Sequence, residues 1–356
     1  MPWLTADSPR QATEAPVNAS ARDTGGSQTL RLFGLIPVKT VQTVTEAQRY
    51  VTVCGTPFGV KMFSNGALVV AFSDLYTDLG SENPAKEAGL RLGDLIVSAG
   101  GHTVRNNEEL SSAIATAGGN AMEVVYLRDG NRCTCTLTPV QDQDGSYKAG
   151  VWVRDSSAGI GTLTFADTEN GTFAGLGHAI SDTDTGASIS LLSGEIVPVT
   201  ITDCIAGTAG APGELRGEFS GDEVLGTVLA NQDTGVYGRL SGQVSGTEYP
   251  VANMQEVRTG AAQILTTVDG AGPKLYDVRI ESVNLNASDP NRNMLIRVTD
   301  RDLLQKTGGI VQGMSGSPLI QDGMLVGAVT HVLVNDSARG YAIFAQTMWQ
   351  AADRVA

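Results

Sequence analysis

The segment Gly313-Met314-Ser315-Gly316-Ser317-Pro318 offers a serine hydroxyl inside a glycine-bracketed turn. Two strand-like runs follow it, Leu319-Ile320 and Met324 to Val329, around an Asp322-Gly323 turn. Glycines at 313 and 316 let the backbone curl so that the N–H groups of Gly313 and Ser315 converge. That point would hold the oxyanion of a tetrahedral intermediate. Ser317 is a second hydroxyl in the motif, but position favours Ser315. A neutral serine is a weak nucleophile and needs a base. The chain has three histidines. His178, in Gly175-Leu176-Gly177-His178-Ala179-Ile180-Ser181-Asp182, is flanked by small residues that suit a site approached closely by other backbones. It precedes Ser315 by 137 residues. His331 lies on the strand after the serine turn, where it would contact substrate, pack, or serve as an alternative base. His102, after Gly100-Gly101, reads as a turn residue. A carboxylate should orient the imidazole. Asp203, Asp222, Asp233, Asp269, Asp277, Asp289, Asp300 and Asp302 all lie between His178 and Ser315. The residues alone leave that choice open.

Something must hold these groups in place, and composition points to strands. The chain has 356 residues, 43 of them glycine, with 41% hydrophobic and 5% aromatic residues. That is enough apolar material for a packed core, and Gly turns between Val, Thr and Ile runs imply a mainly β protein. Residues 1–28 read as a flexible tail or linker and 29–53 as an N-terminal β segment. Residues 54–140 form one unit and 141–356 another. The 54–140 unit carries strands at Val60-Lys61-Met62 and Ala67 to Phe72, and a short helix opened by Pro84 and stopped near Gly89. A second helix runs from Glu108 to Ala117, with Leu110 and Ile114 on one face. Strands Met122 to Leu127 and Cys133 to Leu137 close on an Asp129-Gly130 turn. Beyond residue 145 the chain is strand after strand, with helices only at Asp302 to Lys306 and Ala345 to Arg354.

The formal charge is −14. No basic stripe is visible, which argues against nucleic-acid binding and does not favour anionic membranes. Cys54, Cys133, Cys135 and Cys204 have neither disulfide nor zinc-site spacing and read as small packing residues. No run has the ~18 apolar residues of a membrane span. The opening residues lack the basic and apolar regions of a signal peptide. The expectation is therefore a cytoplasmic protein, or one whose targeting segment is absent from this sequence.

The 54–140 unit resembles a PDZ domain, most specifically at Pro84-Ala85 to Ala88-Gly89-Leu90 and Gly93-Asp94-Leu95-Ile96. That resemblance implies binding of an extended peptide at a sheet edge. The receiving loop would be Thr56 to Gly59, with Phe58, Gly59 and Val60 as its binding residues and Glu108 to Ala117 as the groove helix. The Gly313 to Pro318 motif resembles the nucleophile loop of trypsin-like serine peptidases and implies a double β-barrel. The His-then-Ser order and the C-terminal helix match that pattern, which would place the orienting carboxylate in the first barrel, as Asp203 or Asp222.

Longer motifs resemble the SpoIVB peptidase family of spore-forming bacteria. They are Leu32 to Lys39, Gly59-Val60-Lys61 with Gly66 to Val70, Arg154 to Phe165, Gly175 to Asp182, Val298-Thr299-Asp300, Gly308 to Pro318 and Thr330 to Asp336. The family implies His178, Asp300 and Ser315 as catalytic residues, with Gly313 and Ser315 as the oxyanion hole and no metal or cofactor. It further implies an endopeptidase that cleaves itself, near its own N-terminal region, and a membrane-anchored regulator. That cleavage would signal late sigma-factor activation in sporulation. The expected location is extracytoplasmic, between mother cell and forespore, with the membrane anchor missing from this chain. Two rivals stand beside this reading. One is a catalytically silent PDZ-containing peptide-binding adaptor; the other is a cytoplasmic trypsin-like quality-control protease.

Overall fold

The computed structural model describes residues 4–6, 26–32, 36–43 and 48–356, apart from 78–79, 183, 187 and 222. Two units are distinct, residues 1–49 and 50–356. Most of the expected 1–28 tail lies outside the described residues. In the first unit, strands Leu4–Ala6, Gly26–Leu32 and Ile36–Thr43 form an antiparallel sheet.

The second unit opens with a 23-residue strand, β1 (Tyr50–Phe72). Its antiparallel partner is β5 (Val151–Asp167). The two run side by side through both halves of the unit. Pairing slips between Arg154 and Ser156, so that Ser64 to Ala67 bulge opposite Asp155. The Ser64 hydroxyl braces the bulge by donating to the Gly66 carbonyl at 2.5 Å.

On one side of the bulge, β1 and β5 belong to a PDZ sheet. Its order is β4 (Asn131–Leu137), β3 (Met122–Arg128), β2 (Leu95–Ala99), β1 and β5. Helices α1 (Pro84–Glu87) and α2 (Asn107–Ala117) cover it. The caps follow from the residues. The Asn83 side chain accepts from the Lys86 N–H and Asn106 from the Glu109 N–H, and Gly118 ends α2 in the left-handed region. The core runs from Ala67 through Ile96, Leu110, Ile114 and Tyr126 to Leu137, with Val151 and Val153 packed against it.

On the other side, β1 and β5 begin the first barrel. The pairing continues through β6 (Thr172–Gly175), β10 (Gly235–Leu240), β9 (Gly226–Gln232) and β7 (Leu191–Ile205). The ring closes because β7 pairs with β1 as well as β9. Strand β8 (Glu214–Phe219) extends β7. The PDZ unit is thus an insertion between the first two strands of barrel 1, rather than a module ahead of it.

This corrects the expected peptide-receiving residues. Phe58, Gly59 and Val60 sit mid-strand, paired with Gly161, Ile160 and Gly159 on one edge and with Pro198, Val197 and Ile196 on the other. No open edge remains there for a peptide. Phe58 and Val60 are each 1% exposed in the barrel core, where burial of such a side chain stabilises by about 1.5–3 kcal/mol.

Barrel 2 is closed and six-stranded. Its order is β11 (Gly260–Thr266), β12 (Lys274–Val283), β13 (Met294–Val298), β16 (Asp336–Phe344), β15 (Met324–Leu333) and β14 (Pro318–Gln321). Helix α3 (Arg301–Thr307) follows β13, and α4 (Ala345–Asp353) ends the fold. Among the described residues no helix is long and apolar enough to cross a membrane.

Candidate active site

Ser315 lies in the loop between α3 and β14, and both barrels grip that loop. On the barrel 1 side, the Thr162 N–H donates to the Ser315 carbonyl at 2.9 Å. The Thr162 hydroxyl donates to the Gly313 carbonyl at 2.9 Å, and the Thr164 hydroxyl to the Gly316 carbonyl at 2.7 Å. On the barrel 2 side, the Gly316 N–H donates to the Val329 carbonyl at 2.7 Å. Thr162 and Thr164 alternate on β5, so both hydroxyls face the loop. Both are buried. Their positions in Gly161-Thr162-Leu163-Thr164-Phe165 gave a sequence signal, but nothing local assigned them to the serine loop.

Gly313 has φ +95° and Gly316 φ +93°. Among the described residues, neither the Gly313 nor the Ser315 N–H donates to a protein acceptor, while Met314 N–H between them bonds to Val311. Two free donors bracketing the nucleophile are what an oxyanion hole requires. Ser317 is wholly buried, with its hydroxyl 2.9 Å from that of Thr266. It is a packing residue with no path to substrate.

His178 leaves β6 through two consecutive left-handed residues, Leu176 (φ +68°) and Gly177 (φ +70°). A left-handed leucine costs on the order of 1–3 kcal/mol. It is held there by its N–H bond to Thr162 O at 3.3 Å and by burial of its side chain. Asn231 clamps the following loop, accepting from the Ile180 N–H and donating to the Ile180 and Ile189 carbonyls. His178 Nδ1 stands 2.8 Å from the Ala179 carbonyl. A carbonyl only accepts, so Nδ1 carries the proton and Nε2 is left as the basic nitrogen. Burial pushes the His178 pKa below its usual value, with the Ala179 carbonyl opposing.

His178, Ser315 and His331 line one cleft of about 720 Å³. The two imidazoles lie with centroids 4.9 Å apart and planes tilted by 35°. Desolvation of the His331 ring, then the neighbouring His178 and Arg292, push His331 down to about 4. The Ser315 hydroxyl donates to the Thr330 carbonyl at 2.8 Å.

Asp300 is not brought to this cleft. It is the N-cap of α3: one carboxylate oxygen accepts from the Leu303 N–H at 3.1 Å, the other from the Asp277 N–H at 3.4 Å. Asp203 is exposed on β7, its carboxylate turned to the Cys204 N–H, and Asp222 lies outside the described residues. Among the described residues, Asp233 is the one carboxylate lining the cleft, at the turn between β9 and β10. His102 is exposed on a two-residue strand. Asp300→Ala is expected to cost about 1 kcal/mol of stability through the lost cap. Asp300→Ser keeps a cap, so kcat/KM per folded molecule should hold within about threefold. A loss near the ~10⁴-fold of a removed triad carboxylate would instead place Asp300 in the chemistry.

Two closed barrels, with a glycine-bracketed serine from one and a histidine from the other lining a shared cleft, define a trypsin-like serine peptidase carrying a PDZ domain. The SpoIVB peptidase S55 model matches residues 145–349 and a PDZ model matches residues 58–138. The chain belongs to the SpoIVB peptidase family. Among solved structures it is similar to the active form of the Rv3671c protease from M. tuberculosis. Identity there is 16% over 56% of this chain and 74% of that one, with a TM-score of 0.35. It is also similar to the HtrA-type protease AlgW with a decapeptide, at 12% identity over 57% and 54% of the two chains and a TM-score of 0.34. The PDZ domain of the SdrC-like protein from Listeria monocytogenes matches at 20% identity over 25% and 87%, with a TM-score of 0.21. No curated protein matches the chain.

Proposed function

We propose that this serine peptidase works as a SpoIVB-type signalling endopeptidase. It would cleave its own N-terminal region and a membrane-anchored regulatory protein, outside the cytoplasm between mother cell and forespore, to trigger late sigma-factor activation. The observation that carries the peptidase reading is the gathering of His178, Ser315 and two unpaired N–H groups at one cleft. The signalling role rests on the family.

The chemistry follows from the geometry. A scissile carbonyl enters with its oxygen on the Gly313 and Ser315 N–H groups. The Ser315 hydroxyl rotates from the Thr330 carbonyl toward His178 Nε2, gives up its proton there, and attacks the carbonyl carbon. The imidazolium protonates the leaving amine, and water then hydrolyses the acyl-enzyme by the same route. The Ala179 carbonyl, accepting from Nδ1–H, holds the tautomer that a triad carboxylate usually holds. The PDZ unit would target or restrain the peptidase by engaging peptide segments.

His178 must be neutral to act. Its pKa lies below the ordinary ~6.5, so kcat/KM should be flat from pH 7 to 8 and fall through a midpoint below 6.5. The same depression makes the unfolded chain take up protons first, so stability present above pH ~6.5 is lost as pH falls through the folded value. The purified chain should fragment itself and hydrolyse casein, with this pH profile. A His178→Ala chain that fragments identically would overturn the reading.

A further inference from the structure

Strand β5 serves both the PDZ sheet and barrel 1, and one of its side chains reaches the histidine loop. Arg154 is the last PDZ-paired residue before the bulge. Its NH1 donates to Asp182 Oδ2, and its NH2 to Asp184 Oδ2 at 2.8 Å. Asp182 lies four residues after His178, and its side chain is 0% exposed. Its other oxygen accepts from the Asp184 N–H, the Thr185 N–H and the Thr185 hydroxyl at 3.0–3.1 Å. Burial alone would raise the Asp182 pKa, yet the Thr185 and Arg154 bonds hold it below the carboxylate range. Asp182 is therefore an anion at neutral pH that fixes the tight turn closing the His178 loop, and Arg154 is its counter-ion. The next residue on the strand, Asp155, accepts from the Asn107 N–H at the start of α2, which fixes where Arg154 stands.

We infer that Arg154 and Asp182 are positioning residues for His178. The inserted PDZ unit supplies, through Arg154, the charge that folds the loop carrying the catalytic base. The inference rests on the peptidase reading above. A buried carboxylate stripped of its cation would draw in water or a proton, and the turn that sets the imidazole against Ser315 would loosen. A displacement of about 1 Å at a reacting group costs on the order of 10²-fold.

The PDZ unit contains a matched control. Arg128 makes the same kind of ion pair with Asp94, whose side chain is 1% exposed; both partners belong to one domain and neither lines the cleft. Arg154→Gln and Arg128→Gln should both lower Tm. Only Arg154→Gln should lower kcat per folded molecule, by about 10- to 100-fold, with KM within about twofold. Arg154→Lys, which restores a cation, should recover most of that loss. The full-length chain and a casein-derived fluorogenic peptide suffice, with titration of the folded fraction. If the wild-type chain itself is inactive, the peptidase reading fails. If the wild type is active and Arg154→Gln behaves like Arg128→Gln, Arg154 is merely structural and the inference is overturned. Should Arg154→Gln not fold, Asp182→Asn, nearly isosteric, gives the same split, and unchanged kcat there overturns the inference equally.

Discussion

Ser315→Ala is expected to lower kcat/KM for a protein substrate by about 10⁴- to 10⁶-fold, the scale on which nucleophile removal acts in this chemistry. Stability should hardly change. The hydroxyl has one bond, to the carbonyl of Thr330, a residue that lines the cleft, so water entering the site can take its place. Ser317→Ala should do the reverse. Its hydroxyl is buried against that of Thr266, so deletion strands a buried polar group and costs about 1–3 kcal/mol. Turnover per folded molecule should stay near wild type. Denaturant midpoints and kcat/KM for the two variants would therefore move in opposite patterns. If Ser317→Ala were the inactive one, the assignment of the nucleophile would be wrong.

Gly316→Ala should have the second-largest effect, on fold and activity together. A Cβ there would stand 2.1 Å from the Thr162 carbonyl oxygen and 2.5 Å from the Leu176 nitrogen. Both are backbone atoms of barrel 1, so no rotamer change relieves the clash, and φ +93° is itself unfavourable for alanine. The loop must back away from β5. That breaks the bonds from Thr162 and Thr164 that register Ser315 against His178. We expect a loss of several kcal/mol in stability, the range of overpacking plus lost buried bonds. Any folded fraction should be at least about 10²-fold less active. Gly323→Ala makes a suitable contrast: that glycine also has positive φ, but a Cβ there meets nothing within 4 Å. A soluble, fully active Gly316→Ala chain would show that the inter-barrel docking is not what aligns the pair.

What could be read in the sequence was local. The serine turn, the short helix opened by Pro84, the α2 helix and the β-rich second half all carry short-range signatures, and the structure has them. What could not be read was pairing at long range. Val60-Lys61-Met62 and Ala67 to Phe72 read as two separate strands. They are two halves of one bulged strand, because β5, some ninety residues on, returns alongside both. The PDZ resemblance put the peptide-receiving loop at Thr56 to Gly59, but its binding residues Phe58, Gly59 and Val60 have partners on both edges, Gly159 to Gly161 and Ile196 to Pro198. Asp300 shows the related limit for the site. An Asp before Arg301-Asp302-Leu303 is equally well written for a helix cap or a triad, and only three-dimensional placement separates them. Arg154, Thr162, Thr164 and Asp182 were visible only as motif letters, since their partners lie far along the chain.

The central claim is that Ser315, activated by His178, is the nucleophile. Reaction with a fluorophosphonate tests it most directly, because the reagent loses fluoride and phosphonylates a serine whose proton is taken by a nearby base. Peptide mapping by mass spectrometry should place one adduct on Ser315 in the wild-type chain and little or none in His178→Ala. An adduct on Ser317, or equal labelling with and without His178, would contradict it.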